Sequence, residues 1–195
     1  MNDIIIRNLS LSFGEKNVLK DFSAVIPAGK TTCVTGPSGS GKTSLTRILC
    51  GLARPDSGTV EGMQGVRTAV VFQEDRLCPN ISALTNVCFV ASVTKAEASE
   101  ALSRLGLGQE TLQIAGTLSG GQLRRVAIAR ALVSDWDVLV MDEPFKGLDE
   151  RTKFSVMEWV REKSRGKTVI LISHDNSECA FFEPEKTISL GSVDQ

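Results

Sequence analysis

The sequence predicts an α/β domain with a parallel sheet, which carries a small antiparallel sheet near its N-terminus and a helical region. Short, continuous apolar segments are typical of strands that are covered on both faces. Because these segments alternate with helical patterns, a parallel, layered sheet is favoured over separate sheets and bundles. The predicted strands are Thr31–Gly36, Thr68–Phe72, Val138–Met141 and Thr168–Ser173. The predicted helices are Lys42–Gly51, Lys95–Leu105, Gly120–Val133 and Glu150–Lys163.

Two further regions differ from this core. In the segments 4–13 and 18–27, apolar and polar residues alternate more strongly, and the turn sequence GEKN separates the two segments. This pattern predicts short antiparallel strands. The region 80–118 carries no strand pattern, and we expect it to be mostly helical. Together these features predict an N-terminal antiparallel subdomain and an inserted helical subdomain.

Composition excludes several classes of protein. The 195 residues suit one well-filled domain, and the net charge of −1 gives no pull toward nucleic acid. The longest apolar runs, Val138–Met141 and Val169–Ile172, are far shorter than the roughly 20 residues of a membrane span. The first residues do not resemble a signal peptide, and the scattered five cysteines indicate reduced thiols. We expect no nucleic-acid partner and no membrane span in this chain.

A phosphate-binding loop follows the first predicted core strand. The spacing from Gly36 to Thr43 fits the pattern G-x-x-x-x-G-K-[ST] between a strand and a helix. Glycines let backbone amides surround a phosphate, Lys42 reaches the β and γ phosphates, and the Thr43 hydroxyl is placed for Mg²⁺. The alternative is a plain glycine-rich turn. The predicted nucleotide-binding residues are Gly36, Pro37, Ser38, Gly39, Ser40, Gly41, Lys42, Thr43 and Ser44.

Two acids end the strand VLVM. Asp142 is expected to hold Mg²⁺, and Glu143 to orient or deprotonate an attacking water molecule. A second acid beside the metal favours a hydrolase, since a kinase must keep water away from the γ-phosphate. The alternative is a pair of solvated carboxylates at a strand end.

A second anion-binding helix start is predicted at LSGGQ. Ser119 suits the N-cap, and Gly120 and Gly121 expose the first amides of the helix ahead of Gln122. One nucleotide cannot easily use both helix starts of one small domain. A head-to-tail pair of chains would let each LSGGQ close over the nucleotide of its partner. The alternative is an ordinary capped helix.

LSGGQ followed by RRVAIARAL, between a phosphate loop and a DEP strand, resembles the signature of the ATP-binding-cassette (ABC) ATPases over essentially the whole chain. The resemblance implies a P-loop NTPase fold with a RecA-like sheet, as a single domain over residues 1–195 with a helical subdomain at about 78–135. It implies ATP and Mg²⁺ as ligands. It also implies that ATP joins two cassettes and that hydrolysis separates them.

The same resemblance assigns four further residues. Phe13 stands where an aromatic ring stacks on adenine, and Gln73 matches the glutamine that touches Mg²⁺ and the attacking water. Asp149 matches the acid of the loop that crosses the dimer interface. His174, the single histidine, matches the switch residue that contacts the γ-phosphate. With Glu143, the residues Gln73 and His174 complete the expected catalytic set.

Two stretches indicate a branch of the family. QEDRLCP and DEPFKGLDE resemble importer ATPases for nitrate, sulfonate, taurine and bicarbonate, although Cys78, Asn80 and Lys146 depart from that pattern. The resemblance implies an ATPase subunit at the cytoplasmic face of the cell membrane, with a second ATPase subunit, most simply a homodimer. It also implies separate integral membrane permease subunits and an extracytoplasmic substrate-binding protein. The chain ends soon after His174, so we expect no C-terminal regulatory domain.

Three other functions compete with transport. ABC ATPases of DNA repair or translation usually carry an inserted coiled coil or two cassettes, and neither pattern is found in this sequence. A small P-loop kinase would need an arginine-rich lid and has no use for LSGGQ or the paired acids. An inactive binding module is disfavoured because every catalytic position is filled.

Overall fold

The four predicted core strands and one further strand form a five-stranded sheet in the computed structural model, which describes residues 1–14, 16–90 and 93–191. With labels in chain order, its strands are β3 (Thr31–Thr35), β5 (Thr68–Val71), β6 (Val138–Asp142), β7 (Thr168–Ile172) and β8 (Lys186–Ser189). Their order across the sheet is β5-β6-β7-β3-β8. β3 pairs in parallel with β7 and β8, and β6 pairs in parallel with β7.

The sequence pattern of the central strands has a direct structural cause. Every residue of β6 and of β7 is buried, so neither strand has a solvent face that would require alternating polar residues. The parallel α/β core that the sequence predicts is therefore confirmed. β8 was not predicted, because this four-residue edge strand has a single buried residue, Ile188.

A second sheet contains the two predicted N-terminal strands and one strand that was not predicted. Its strands are β1 (Ile4–Phe13), β2 (Lys16–Ile26) and β4 (Ser57–Glu61), which lie in the order β2-β1-β4 and pair antiparallel. The alternating residues Ile4 and Ile6 face the core, and both are at most 1% exposed. The predicted turn at 14–17 includes Glu15, which lies outside the described residues.

The predicted helices are present, with ends that differ by at most two residues. The helices are α1 (Lys42–Leu49), α2 (Ala83–Cys88), α3 (Lys95–Arg104), α4 (Gly120–Val133), α5 (Glu150–Lys163) and α6 (Asn176–Phe181). Between residues 80 and 118, α2, α3 and a 3-10 turn at Ala115–Thr117 account for the helix. The described remainder consists of turns, irregular residues and an isolated bridge between Ser82 and Ile114. Among the described residues, no helix is both long enough and apolar enough to cross a membrane.

The chain divides into two compact units. The second unit comprises Val71–Asp135 and Pro144–Lys163, and the first contains the other described residues. The core of the first unit joins aliphatic side chains of both sheets with those of α1, among them Leu45 and Ile48. In the second unit, α2, α3 and α5 all pack against α4.

Candidate active site

Three sets of predicted site residues follow neighbouring strands of the first unit. β3 leads into the phosphate loop, β6 ends at Asp142, and β7 is followed at once by Ser173 and His174. Asp142 and Val34 both pair with Ile172, so the three strands end at one level of the sheet. Ligands of open parallel sheets bind at the carboxyl ends of the strands, where these residues lie.

The phosphate loop has no room for a side chain at its last glycine. Gly41 has φ +91°, and a Cβ atom there would lie 2.6 Å from the carbonyl oxygen of Val18. Gly41 is also the N-cap of α1, so the first amides of this eight-residue helix open toward the loop. The geometry explains why the sequence requires glycine at this position.

The interior of the loop suits an anion. The Lys42 side chain donates hydrogen bonds from Nζ to the carbonyls of Gly36 (2.8 Å) and Pro37 (2.7 Å), and the residue is 8% exposed. Ser40 is 3% exposed, and its Oγ atom has no hydrogen-bond partner among the described residues. A buried hydroxyl without a partner is costly, and a phosphate oxygen would supply one. The loop residues therefore fit a nucleotide phosphate.

The two acids lie in different environments. Asp142 is 2% exposed at the end of β6, and α1, which begins at Lys42 and Thr43, packs against that strand. Glu143 has φ +46°, a left-handed conformation that is uncommon for a residue with a Cβ atom. Its N–H donates to the carbonyl of Ile172 at 2.8 Å. The chain therefore turns sharply at Glu143, which releases its side chain from the strand direction.

His174 meets this glutamate. Its Nδ1 atom lies 3.3 Å from Oε1 of Glu143, with side-chain exposures of 65% for the histidine and 17% for the glutamate. The turn that carries His174 is held by Ser173, whose Oγ donates to buried Glu178 at 2.6 Å and accepts from the N–H of Asp175. The general base and the switch histidine that the sequence predicts are thus in contact.

In the second unit, LSGGQ forms a complete helix cap. Ser119 Oγ accepts from the N–H of Gln122 at 3.3 Å, while Gln122 Oε1 accepts from the N–H of Ser119 at 2.8 Å. This capping box is reinforced by a hydrogen bond from Gln122 Nε2 to Glu110 (3.2 Å). Gly120 and Gly121 follow in the first turn of α4, and Ser119 and Gly120 are exposed to solvent.

Gln73 lies in an exposed position on a loop that arginines of α4 hold. Arg124 donates from Nη1 to the carbonyl of Phe72 at 2.6 Å and from Nη2 to the carbonyl of Gln73. Arg130 donates to the carbonyls of Asp75 and Arg76 at 3.1 and 2.8 Å. Burial raises the pKa of Asp75, against the opposing effect of both arginines. The sequence did not identify these arginines, since they are separated from the loop by more than fifty residues.

The remaining predicted residues are exposed at the ends of elements. Asp149 precedes α5 and accepts a hydrogen bond from the N–H of Thr152 at 3.0 Å, and hydrogen bonds from Thr152 lower the pKa of this carboxyl group. Phe13 ends β1 in the first unit and is 56% exposed, which leaves its ring available for stacking. Gln73, Ser119–Gln122 and Asp149 belong to the second unit, and the other predicted residues belong to the first.

Comparison with known proteins decides the family. The model of the ABC transporter family matches residues 19–146. This chain belongs to the ABC transporter family. The ATP-binding subunits of this family are ATPases. The chain is therefore an ABC ATPase that binds and hydrolyses ATP. The P-loop fold and the activity implied by the LSGGQ resemblance are thereby confirmed.

Relatives of this ABC ATPase include proteins named for the import of aliphatic sulfonates. The aliphatic sulfonates import ATP-binding protein SsuB 1 of Rhizobium johnstonii is 42% identical over 189 residues, covering 90% of this chain and 69% of that protein. The SsuB protein of Corynebacterium glutamicum is 38% identical over 182 residues, covering 89% of this chain and 74% of its own. Both are named as import ATP-binding proteins, in agreement with the importer branch that QEDRLCP and DEPFKGLDE indicate.

Solved structures agree on the fold. The dimeric structure of MJ0796, a bacterial ABC transporter cassette, has a TM-score of 0.87 at 28% identity and covers 97% of this chain and 94% of that one. A post-hydrolysis dimer of the same cassette, bound to ADP and Pi, has a TM-score of 0.86 at 27% identity and covers 98% and 97% of the two chains.

Proposed function

We propose that this ABC ATPase powers a membrane importer for small oxyanions of the sulfonate class. The observation that carries the catalytic part is the common level of three strand ends, which gathers the phosphate loop, the two acids and His174 at one edge of the sheet. The sulfonate class rests on the relatives named above and on the two importer-like stretches of sequence.

The predicted site residues of the first unit have distinct roles in hydrolysis. Lys42 and the loop amides bind the β and γ phosphates, and Phe13 stacks on adenine. Glu143 takes a proton from the attacking water, and His174 orients that carboxylate through the contact at 3.3 Å. Thr43 and Asp142 would hold Mg²⁺, which would supply positive charge to the phosphate oxygens. For Gln73, in the second unit, the role at Mg²⁺ and the attacking water is the one that the family resemblance implies. Hydroxyl, carboxylate and amide oxygens are the donors that Mg²⁺ prefers.

The second unit contributes to the nucleotide site of a partner chain. Ser119, Gly120, Gly121 and Gln122 form a capped helix start with exposed amides, which suits the γ-phosphate held by a second copy. Asp149, exposed at the start of α5, contacts the partner across the same interface. We propose a head-to-tail homodimer with two active sites, in which residues 1–195 form one ABC ATPase domain with a helical subdomain at about 78–135.

The membrane partners complete the transporter. Two such chains bind permease subunits at the cytoplasmic face of the membrane, and an extracytoplasmic protein delivers the sulfonate. No nucleic acid takes part.

The permease assignment is tested by purifying the tagged Glu143→Gln chain with ATP from detergent-extracted membranes of its own cells. Co-purification of a multispanning protein in near-equal amount supports it, with Lys42→Ala as the control for ATP dependence. Co-purification with ribosomes or DNA proteins instead would contradict transport.

The substrate class needs a separate test. Cells that lack this gene should fail to grow on an alkanesulfonate as the sole sulfur source and should grow normally on sulfate. The wild-type gene should restore growth, and the Glu143→Gln gene should not. Normal growth of the deletion strain on every alkanesulfonate tested, taurine included, would refute the substrate class but would leave the ATPase assignment intact.

A further inference from the structure

The loop that carries Gln73 is fixed from behind by a buried charge. The Arg124 side chain is 7% exposed, and two of its nitrogens donate hydrogen bonds to the carbonyls of Phe72 and Gln73. Its third nitrogen, Nε, lies 3.3 Å from Oδ1 of Asp75, whose side chain is 24% exposed. All four residues belong to the second unit. One guanidinium therefore joins the backbone before the loop to a carboxylate within it.

The Oδ1 atom of Asp75 pairs with this arginine through its charge and not through a hydrogen bond. A guanidinium withdrawn from water needs both hydrogen-bond acceptors and a counter-charge, and removal of one partner leaves a buried charge without compensation. The carbonyls supply the acceptors, whereas Asp75 supplies the counter-charge. Arg124 lies on the same helix as Ser119, so the carboxylate also links the Gln73 loop to the helix that begins at LSGGQ.

We propose that Asp75 is a positioning residue for hydrolysis: through Arg124 it fixes the backbone of Phe72 and Gln73 and thereby the direction of the Gln73 side chain. The inference rests on the proposed role of Gln73 at the metal and the attacking water. Asp75 itself touches neither ligand.

The neighbouring acid provides a matched control. Glu74 pairs with Arg76 at 3.5 Å, but its side chain is 72% exposed, and such surface pairs contribute little. The Arg76 guanidinium also stacks on the Phe72 ring at 3.7 Å, a contact that Glu74→Gln leaves intact. Glu74→Gln and Asp75→Asn therefore remove the same charge from adjacent positions, and only the second disturbs Arg124.

The test compares kcat and KM for ATP in the full chain, together with thermal unfolding midpoints. We expect Asp75→Asn to lower kcat about tenfold with KM changed less than about twofold, while Glu74→Gln behaves as the wild type. Asp75→Glu, which keeps the charge, should restore part of kcat. In a Gln73→Ala background, Asp75→Asn should lower kcat by less than about twofold, because coupled residues are not additive.

The possible outcomes distinguish a failure of this inference from a failure of the proposed role of Gln73. If Asp75→Asn lowers kcat equally with and without Gln73, its role is only structural and the inference is overturned. It is also overturned if Gln73→Ala is slow while Asp75→Asn is normal. If Gln73→Ala has wild-type kcat, the proposed role of Gln73 is wrong, and the inference that Asp75 positions Gln73 is wrong as well. Should Asp75→Asn not fold, Arg124→Lys, which keeps the charge but loses the fork, is measured in the same two backgrounds.

Discussion

The Nδ1 atom of His174 lies 3.3 Å from Oε1 of Glu143, which joins residues that follow two neighbouring strands of the central sheet. The two side chains differ in exposure, 65% for the histidine against 17% for the glutamate. The glutamate is thus held at the edge of the protein interior, while the histidine remains open to solvent. This contact joins the proposed general base to the histidine that we propose orients it.

Replacement of Glu143 with Gln should remove the base and keep the shape of the site. We expect kcat for ATP hydrolysis to fall about 10²- to 10⁴-fold, the usual contribution of a positioned general base, with ATP affinity nearly unchanged. Phosphate release and calorimetry measure the two quantities. Glu150→Gln, at the exposed start of α5, is the control and should hydrolyse ATP normally. A wild-type rate in Glu143→Gln would refute the assignment of the base.

Replacement of Ser119 with Arg should block closure of two chains while sparing nucleotide binding. The larger, charged side chain would project from an exposed helix start that has to meet a partner. Light scattering with ATP, in the slowly hydrolysing Glu143→Gln background, should show monomers. Ser119→Ala is the control: it loses the cap, at a cost of about 1 kcal/mol in stability, without added bulk. Dimers of the Ser119→Arg chain would contradict the proposed role of LSGGQ.

Replacement of Asn86 with Ala should destabilise the loop that precedes α2. Asn86 is fully buried; its Oδ1 accepts from the N–H of Cys78 at 2.8 Å, and its Nδ2 donates to the carbonyls of Cys78 and Ser82. The substitution removes three hydrogen bonds from a buried side chain to the part-buried backbone, so we expect a cost of about 1 to 3 kcal/mol. Urea unfolding measures it. Exposed Asn80→Ala should cost almost nothing, and an equal loss in both variants would disprove the explanation.

Replacement of Asp137 with Asn should destabilise the first unit in a pH-dependent way. Hydrogen bonds from the side chain and backbone of Arg67 lower the pKa of Asp137 from 3.8 to about 2. Because the folded pKa lies below the unfolded one, this carboxylate stabilises the fold above pH 4, and the effect is lost as pH falls toward 2. The difference in urea midpoint between wild type and Asp137→Asn should therefore narrow below pH 4.

The control for this pH effect is Glu61→Gln. Glu61 pairs with Arg7 at 3.2 Å, and both side chains are more than half exposed. Exposed pairs of this kind contribute little, so its urea midpoint should follow the wild type at every pH. If the urea midpoints of the wild type and Asp137→Asn differ by the same amount from pH 7 to pH 3, the pair with Arg67 does not account for the effect.

Much of the fold follows from the sequence because its strands and loops carry strong local patterns. β6 and β7 are buried on both faces, so they appear in the sequence as unbroken apolar runs. The phosphate loop is predicted by the spacing of its glycines. β4 was missed because four of its five residues are exposed and none is buried. Its pairing with β1 gives it order that no local pattern records.

The site shows the same division. The acids, His174 and LSGGQ could be predicted, since each lies beside a strand or helix with a clear pattern. The contacts of Arg124 with Phe72 and Gln73 could not, because they join residues 52 and 51 positions apart through backbone carbonyls. The capping box of Ser119 and Gln122 has a sequence signal, S-x-x-Q, that identifies the helix start more fully than the N-cap alone.

The central claim is that ATP closes two copies of this chain around two shared sites, and the mass of the Glu143→Gln chain tests it most directly. Light scattering with ATP should give twice the 21.0 kDa of one chain, and with ADP the mass of one chain. The same variant carrying Lys42→Ala should stay monomeric with either nucleotide. A single-chain mass with ATP, while calorimetry shows ATP bound, would contradict the claim.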